Sequence, residues 1–212
     1  MQACRRGPRA GAIFSTLLLC GTMALAEAGA PMEQMRQTLN ALVAIFADTA
    51  LNSPDQASER RAKIQQVLSQ RFAYEAMAQR SLGRHWNELT PAQQQAFIPL
   101  FSSLLEQMHT RRIEKYGGKK KSVVIKDESQ QADGTASVRI DIVDPRDPTI
   151  NEEVTYQLQK HQEGWRVHDL LIDGGSMVTN FRTQFDRVIR QESYAELVKR
   201  LEHSALSVDK AN

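Results

Sequence analysis

Apolar residues follow two different spacings along this 212-residue chain. Between residues 32 and 116 they recur every three or four positions, which indicates amphipathic helices. Between residues 121 and 172 apolar and polar residues alternate, which indicates β-strands that share one apolar face. Helical spacing returns between residues 176 and 205. Helices, then strands, then helices predict an α+β domain.

Local signals place several helix boundaries. The segment Thr90-Pro91-Ala92-Gln93 is a capping box with proline at the first helical position, so a long helix is expected from there to about Tyr116. Pro99 removes one backbone hydrogen bond from that helix and predicts a kink. A second capping box at Ser193 predicts the start of the last helix. A further helix is expected from residue 72 to residue 84, with Gly83 as its stop signal.

The alternating region divides into four strands joined by short turns, which predicts a curved antiparallel meander packed against several long helices. Asp133-Gly134 marks the first turn, residues 144–148 the second and residues 161–164 the third. If alternation persists through the fourth strand, Asp169 falls on the apolar side beside Val167. A sheet of this kind either forms a dry core with its helices or leaves a hydrophobic cavity between sheet and helices. The pattern alone leaves both arrangements open.

The first 26 residues are typical of a cleaved signal peptide, followed by a single domain from residue 27 to residue 212. Three arginines precede a mostly apolar run from residue 11 to residue 23, and Ala24-Leu25-Ala26 supplies a cleavage site. The apolar run is short for a membrane span, which needs about 20 residues. A cleaved signal peptide predicts periplasmic localisation. A retained N-terminal anchor is the alternative.

Removal of this segment changes the chemistry of the chain. Cys4 and Cys20 both lie within it, so disulfides and cysteine-metal sites are excluded for the mature protein. The net charge of +2 becomes −1, because three arginines and no acidic residue are lost. The basic character belongs to the signal segment, and a nucleic-acid partner loses its main support.

Two separated blocks resemble one protein family. The first is SLGRHWNELTPAQQQAFIPLFSSLLEQ, residues 81–107, and the second is WRVHDLLIDGGSMVTNFRTQFDRVIRQESYAELVKRL, residues 165–201. Both are similar to signatures of the MlaC-like proteins, also called the toluene-tolerance auxiliary family. The resemblance implies a soluble periplasmic carrier of phospholipid that helps to maintain outer-membrane lipid asymmetry. It implies two partners, an inner-membrane ABC transporter complex and an outer-membrane lipoprotein complex.

The same resemblance implies that the hydrophobic cavity exists and holds acyl chains. We expect no cofactor other than the bound phospholipid and no catalytic residue. Trp86 and Trp165 are expected as core anchors rather than lipid contacts. The residues predicted to line the cavity are Phe101, Leu104, Leu105, Met108, Val138, Ile140, Ile142, Val154, Tyr156, Leu158, Val167, Met177 and Phe181.

Other functions remain as alternatives. In the first alternative, the protein is still a carrier but its cargo is a hopanoid or another isoprenoid lipid. A pocket enzyme of the isomerase type would use Asp169 as its base, although a structural Asp169 bound to the Gly174-Gly175 turn explains this acid better. A periplasmic chaperone would use a groove for peptides. The histidines show no metal-binding spacing, although His161, His168 and Asp173 would meet at one end of a hairpin.

Two polar surfaces are candidates for docking. The loop Gly117-Gly118-Lys119-Lys120-Lys121 would meet anionic headgroups or remain a solvated loop. Asn180, Arg182 and Gln184 lie on the polar side of their predicted helix and are the better candidates for a docking face.

Overall fold

The computed structural model describes residues 30–117, 122–144 and 147–209, and these form an α+β fold. The six α-helices are α1 (Pro31–Ala47), α2 (Ala57–Ser69), α3 (Tyr74–Leu82), α4 (Pro91–Gly117), α5 (Met177–Gln191) and α6 (Tyr194–Asp209). Short 3₁₀ turns occupy Thr49–Asn52, Pro54–Gln56 and Gly83–Glu88. The strands are β1 (Ser122–Gln130), β2 (Thr135–Asp144), β3 (Asp147–His161), β4 (Gly164–Ile172) and β5 (Gly175–Ser176).

Both predicted capping boxes are present at helix starts. The Thr90 amide donates to Gln93 Oε1 over 2.9 Å, and the Gln93 amide donates back to Thr90 Oγ1 over 3.3 Å. At α6 the Glu196 amide donates to Ser193 Oγ over 3.1 Å. Each hydroxyl satisfies an amide that has no partner within its helix.

The sheet is an open antiparallel meander in the order β1-β2-β3-β4-β5. The prediction of four strands was wrong by one, because the chain folds back on β4 to add the two-residue strand β5. Asp173 and Gly174 form that reversal and both have positive φ, 47° and 78°. An Asp-Gly pair tolerates this backbone in a tight turn between strands.

A bulge in β4 corrects the predicted position of Asp169. Leu158 of β3 pairs with Val167, but the preceding Gln157 pairs with Asp169, so His168 is an extra residue in the ladder. The alternation shifts by one position at such a bulge. Asp169 therefore lies on the outer face of the sheet, and Leu170 returns to the apolar face.

The predicted helix start at residue 72 was also wrong, because the backbone there belongs to the edge of the sheet. The Val167 amide donates to the Arg71 carbonyl and the Ala73 amide donates to the Val167 carbonyl, each over 2.8 Å. These bonds make a parallel bridge between Phe72 and Val167, and α3 begins only at Tyr74. The segment satisfies the free edge of β4 that would otherwise remain unpaired.

The helices cover the apolar face of the sheet and form one contiguous core with it. Trp86 and Trp165 are both buried in this core, as predicted. A second part of the core is a group of phenylalanine rings between α4 and α5. Phe101 packs edge-to-face on Phe181 at a centroid distance of 5.5 Å, and Phe97 packs edge-to-face on Phe185 at 6.0 Å.

One arginine ties α1 to the sheet. Arg71 donates to Thr38 Oγ1 over 3.0 Å, to Gln34 Oε1 over 2.5 Å and to the Trp165 carbonyl over 2.7 Å. Gln34 Oε1 also accepts from the Trp165 amide over 2.9 Å. Because these partners come from α1, from the segment after α2 and from β4, the guanidinium fixes three elements at one end of the sheet.

Candidate functional site

The two ends of the sheet differ in how well the helices cover its apolar face. We call the end with the β1–β2 and β3–β4 turns the closed end, and the end with the β2–β3 and β4–β5 turns the open end. Residues directly opposite each other on neighbouring strands share a face, so the strand register arranges the apolar side chains in rows.

On β2, β3 and β4, the apolar side chains in the rows nearest the closed end are buried. Ala136, Leu158 and Val167 form the first row, and each is at most 2% exposed. Val138 continues this pattern in the second row, together with Tyr156 and Leu170. Close packing without exposure is typical of an ordinary protein core.

Exposure increases toward the open end on the same face. Ile140 and Val154 are still buried, but Ile172 beside Val154 is only partly buried. In the last row Ile142 is partly buried, and Val123 opposite it is 39% exposed. The apolar face therefore reaches solvent at the open end.

Helix α4 shows the same change along its length. Phe97 and Phe101 face Phe185 and Phe181, so α4 and α5 run antiparallel at this contact. Continuing the four-residue spacing brings Leu105 beside Met177, which is the first residue of α5. Met108 lies on the same face of α4 one turn further on, beyond the start of α5, and it is 42% exposed.

The predicted lining residues fall into three groups. Leu104 and Ile142 are partly buried and pack against the core, and Met108 is exposed. The others belong to the buried cluster: Phe101, Leu105, Val138, Ile140, Val154, Tyr156, Leu158, Val167, Met177 and Phe181. The structure brings the two sides together, from the sheet and from α4 and α5, and their contact with a ligand stays a prediction.

Sequence reasoning missed an acidic residue on the apolar face. Glu152 lies opposite Ile142, two residues before Val154, and its Oε2 is buried. The sequence could have predicted this position. The apolar residues of β3 occupy even-numbered positions, and Glu152 is also at an even-numbered position. The last row at the open end therefore contains one carboxylate among aliphatic side chains.

Polar groups on the other side of α4 were also missed. The Tyr74 hydroxyl hydrogen-bonds to the Glu106 carboxylate, and burial raises the pKa of Tyr74. Burial raises the pKa of Glu106 as well, and the bond to Tyr74 opposes this shift in part. One turn further along α4, the Thr110 hydroxyl is buried and has no hydrogen-bond partner among the described residues. An unsatisfied buried hydroxyl costs about 1–3 kcal/mol.

Asp169 holds the start of α5. Its Oδ1 accepts from the amides of Leu170 at 2.8 Å and Val178 at 3.1 Å, and its Oδ2 accepts from Ser176 Oγ at 2.5 Å. Ser176 in turn caps α5 by accepting from the Thr179 amide over 3.0 Å. Both carboxylate oxygens are engaged, with Ser176 and Val178 immediately after the Gly174-Gly175 turn rather than with the turn itself.

The histidines singled out in the sequence do not meet as a metal site. Within the described ranges, no group of three or more His, Cys, Asp or Glu side chains is arranged to hold a metal ion. His168 instead contacts the Arg80 guanidinium, and burial followed by the charge of Arg80 lowers its pKa. An open groove of about 810 Å³ lies nearby, between the start of α3 and the β3–β4 hairpin, with Glu75, Lys160 and His161 among its polar lining.

This architecture defines a class: an α+β protein whose antiparallel meander is covered by helices and whose apolar face opens at one end. The profile of the family described as MlaC protein matches residues 36–203. The chain therefore belongs to the MlaC family, as the two sequence blocks indicated.

A solved structure shares the fold. It is the phospholipid-binding protein from Ralstonia solanacearum in complex with a phospholipid, with a TM-score of 0.68 and 22% sequence identity. The match covers 85% of this chain and 99% of that one. At this identity the likeness concerns the fold.

Several predictions concern parts of the chain that the structure does not describe. The predicted signal peptide of residues 1–26, both cysteines and most of the lysine loop of residues 117–121 lie outside the described residues. Among the helices that are described, none combines the length and apolar character needed to span a bilayer.

Proposed function

We propose that this protein is a periplasmic carrier that binds phospholipid by its acyl chains on the apolar face of the sheet, beneath α4 and α5. The headgroup would remain at the open end. The carrier would move lipid between an outer-membrane lipoprotein complex and an inner-membrane ABC transporter complex and so maintain outer-membrane lipid asymmetry. Residues 1–26 would direct it to the periplasm and be removed.

Family membership and the related structure support this proposal. The chain belongs to the MlaC family over most of its length. The protein with the same fold is described as phospholipid-binding and as a complex with a phospholipid. A shared fold does not by itself define a function, so the site must carry the rest of the argument.

The observation that carries the proposal is the gradient of exposure along one apolar face. In each of β2, β3 and β4 the residues on this face change from buried at the closed end to partly buried at the open end, where Val123 of the edge strand β1 is 39% exposed and Met108 of α4 is 42% exposed. Isolated apolar side chains are also exposed elsewhere, at Val43 and Val124, but Val123 and Met108 lie together at the open end of one apolar face. An acyl chain entering from the open end would bury them, and each methylene that leaves water contributes about 0.8 kcal/mol.

The free energy of burying methylene groups also explains why phospholipid needs a carrier. A sixteen-carbon chain gains roughly 12 kcal/mol from burial, so free phospholipid is scarce in an aqueous compartment. A site that matches this burial also releases its cargo slowly. We therefore expect release to need a partner that opens the site, and rapid transfer of bound lipid from the protein alone to empty vesicles would contradict this expectation.

The isomerase alternative is disfavoured by the position of Asp169. This carboxylate lies on the outer face and accepts three hydrogen bonds that hold the start of α5. A general base needs to reach a substrate proton inside the pocket. No observation favours an isoprenoid cargo over a phospholipid, and the chemical analysis of bound lipid distinguishes the two.

The first test is mass spectrometry of the organic extract from purified protein. Phospholipid in a fixed molar ratio to protein supports the proposed cargo and gives the number of acyl chains. An isoprenoid keeps the carrier and changes the cargo. Protein that emerges free of lipid after expression in a Gram-negative periplasm would contradict the carrier function.

A matched pair of variants tests the location of the site. Val123 and Val124 are neighbours on β1 with similar exposure, 39% and 41%, but Val123 lies opposite Ile142 on the apolar face and Val124 lies opposite Asp141 on the outer face. Val123→Trp is expected to reduce retained phospholipid at least about threefold, since an indole would occupy the space of the acyl chain. Val124→Trp should retain as much lipid as the native protein. Equal retention in both variants would place the cargo elsewhere.

A further inference from the structure

The outward face of α5 carries a cluster of arginines that the proposed cargo site does not use. We propose that this surface binds the anionic headgroups of a phospholipid bilayer, so that the protein contacts a membrane directly. We call it the arginine face and define it as Arg84 together with Arg182, Arg187 and Arg190 of α5. All four side chains are exposed.

The face is a continuous surface because two elements meet there. Arg84 belongs to the 3₁₀ turn after α3 and donates to Asp186 Oδ1 of α5 over 2.8 Å. The stem of Arg182 lies over Gly83, where an added Cβ would approach Arg182 Cδ to 3.0 Å. Gly83 has a φ of +56°, so the position already favours glycine. The close approach lets the 3₁₀ turn and α5 present their guanidinium groups side by side.

Positive charge exceeds negative charge on this surface. Asp186 lies within it and contacts Arg84, His85 and, at 3.8 Å, Arg190. The hydrogen bond from His85 is the main cause that lowers the pKa of Asp186, so this carboxyl stays ionised. Glu88 at the border accepts from His85 over 3.0 Å. Four arginines against two carboxylates leave a local excess of two positive charges before His85 is counted.

The composition of the face favours a bilayer over a protein partner. Protein interfaces contain apolar side chains at their centre, and more than half of their area is usually apolar. The outward positions of α5 are occupied by Thr, Asn, Gln, Arg and Asp. Across the described residues, the large hydrophobic side chains that are exposed lie on α1, α4 and β1 instead, at Val43, Met108, Val123 and Val124. Basic residues beside an anionic leaflet bind through charge and need no apolar centre.

This inference is independent of the proposed cargo. α5 begins at Met177, next to the β4–β5 turn of the open end, so a bilayer on the arginine face would lie against the same helix that covers the apolar site. The proposal requires only that the outward face of α5 meets phosphate groups. A protein that carried no lipid at all would still bind vesicles in this way.

The test is co-sedimentation of the purified protein with vesicles. Vesicles of phosphatidylglycerol and phosphatidylcholine are compared with vesicles of phosphatidylcholine alone. The native protein is expected to bind the anionic vesicles and not the neutral ones. Binding should be lost in 1 M salt, where charges are screened beyond about 3 Å.

Three triple variants define the surface. Arg182→Gln with Arg187→Gln and Arg190→Gln is expected to weaken binding to anionic vesicles at least about tenfold, since each basic residue contributes near an anionic surface. Replacing the same three residues by lysine should keep the affinity within about threefold, because a diffuse charge contact needs no guanidinium fork. The matched control replaces Arg36, Lys160 and Lys199, three exposed basic residues away from α5, by glutamine. Circular dichroism and retained lipid establish that each variant is folded.

The outcomes separate the possibilities. Selective loss in the glutamine variant, with retention in the lysine variant and in the control, supports the proposal. Equal loss in the control would show that overall charge matters and not this face, which overturns it. Equal loss in the lysine variant would show that the surface is not a diffuse charge contact, which overturns the proposal. Native protein that ignores anionic vesicles would overturn it as well.

Discussion

The closed and open ends of the sheet are made by the same four long strands and yet are built differently. At the closed end the apolar rows are buried on β2, β3 and β4, and Arg71 bonds to α1 and to β4 through a network of side chains. At the open end Val123 and Met108 are exposed and Glu152 lies on the apolar face. The Thr110 hydroxyl, in the adjoining half of α4, has no partner within the part of the chain that the structure describes.

This difference indicates a division of labour within one core. Under the proposed function the open end accepts a ligand and is not packed to the density of a core, so stability would be concentrated at the closed end. Imperfect packing and unsatisfied polar groups are typical of functional regions rather than of structural ones. The predictions below test whether the two ends differ in energy as they differ in structure.

The largest effect is expected from truncation at the closed end. Leu158→Ala should lower the free energy of unfolding by about 3 kcal/mol, because it removes a fully buried side chain and leaves a cavity. Val123→Ala at the open end should cost less than about 1 kcal/mol in protein freed of lipid. Urea unfolding of both variants gives the comparison. Equal losses would show that the two ends are packed alike.

A smaller loss is expected when the polar network of the closed end is broken. Arg71→Met keeps most of the aliphatic stem but removes the bonds to Gln34, Thr38 and Trp165, and about 2 kcal/mol should be lost. The control is Arg139→Met, which removes exposed ion pairs to Asp127 and Glu153 and should cost less than about 1 kcal/mol. Thermal or urea unfolding measures both. If Arg71→Met leaves the free energy of unfolding unchanged, the hydrogen-bond network does not contribute to the difference between the two ends.

The half-buried carboxyl of Glu106 predicts a dependence on pH. Its pKa is raised above the ordinary value of 4.5 by burial, so the folded protein binds this proton more tightly than the unfolded chain does. Stability is therefore lost as the pH rises from about the ordinary pKa through the raised pKa of the folded state. Glu106→Gln should equal the native protein in stability near pH 4 and exceed it at pH 7. If Glu106→Gln is less stable than the native protein at pH 7, the ionised Glu106 carboxylate stabilises the fold and the prediction is wrong.

The smallest effect concerns the unpaired hydroxyl one turn further on. Thr110→Val replaces it by a methyl group of similar size, so the variant should be stabilised by up to about 1 kcal/mol. Thr110→Ser keeps the hydroxyl and serves as the control, with no gain expected. If the valine variant is instead destabilised, the Thr110 hydroxyl has a hydrogen-bond partner in solution. The open end would then not contain the unsatisfied polar group that distinguishes it from the closed end.

Much of this architecture follows from local rules that operate on neighbouring residues. The capping boxes at Thr90 and Ser193 and the alternation of β2 placed their elements from sequence alone, since each depends on contacts within a few residues. The family was also evident in the sequence, because residues 81–107 and 165–201 carry its signatures.

The errors arose where distant residues decide the outcome. The bulge at His168 and the bridge from Phe72 to Val167 depend on pairing between strands and on a segment from another part of the chain. Neither leaves a mark in the local pattern. The exposure of Met108 depends on where α5 begins relative to α4, which is a property of helix packing and not of residue spacing.

The extra residue at position 168 also sets how the sheet can change length during evolution. Removing a residue from a regular strand turns every later side chain to the opposite face. Removal of His168 is different, because Val167 would then be followed directly by Asp169 outside and Leu170 inside, as they already lie. A chain lacking His168 should still fold with the native arrangement of its apolar face, whereas one lacking Thr155 from β3 should not, as circular dichroism of the two deletions would reveal. The bulge is thus a place where the sheet tolerates the gain or loss of one residue, and relatives of different strand length would be expected to differ there.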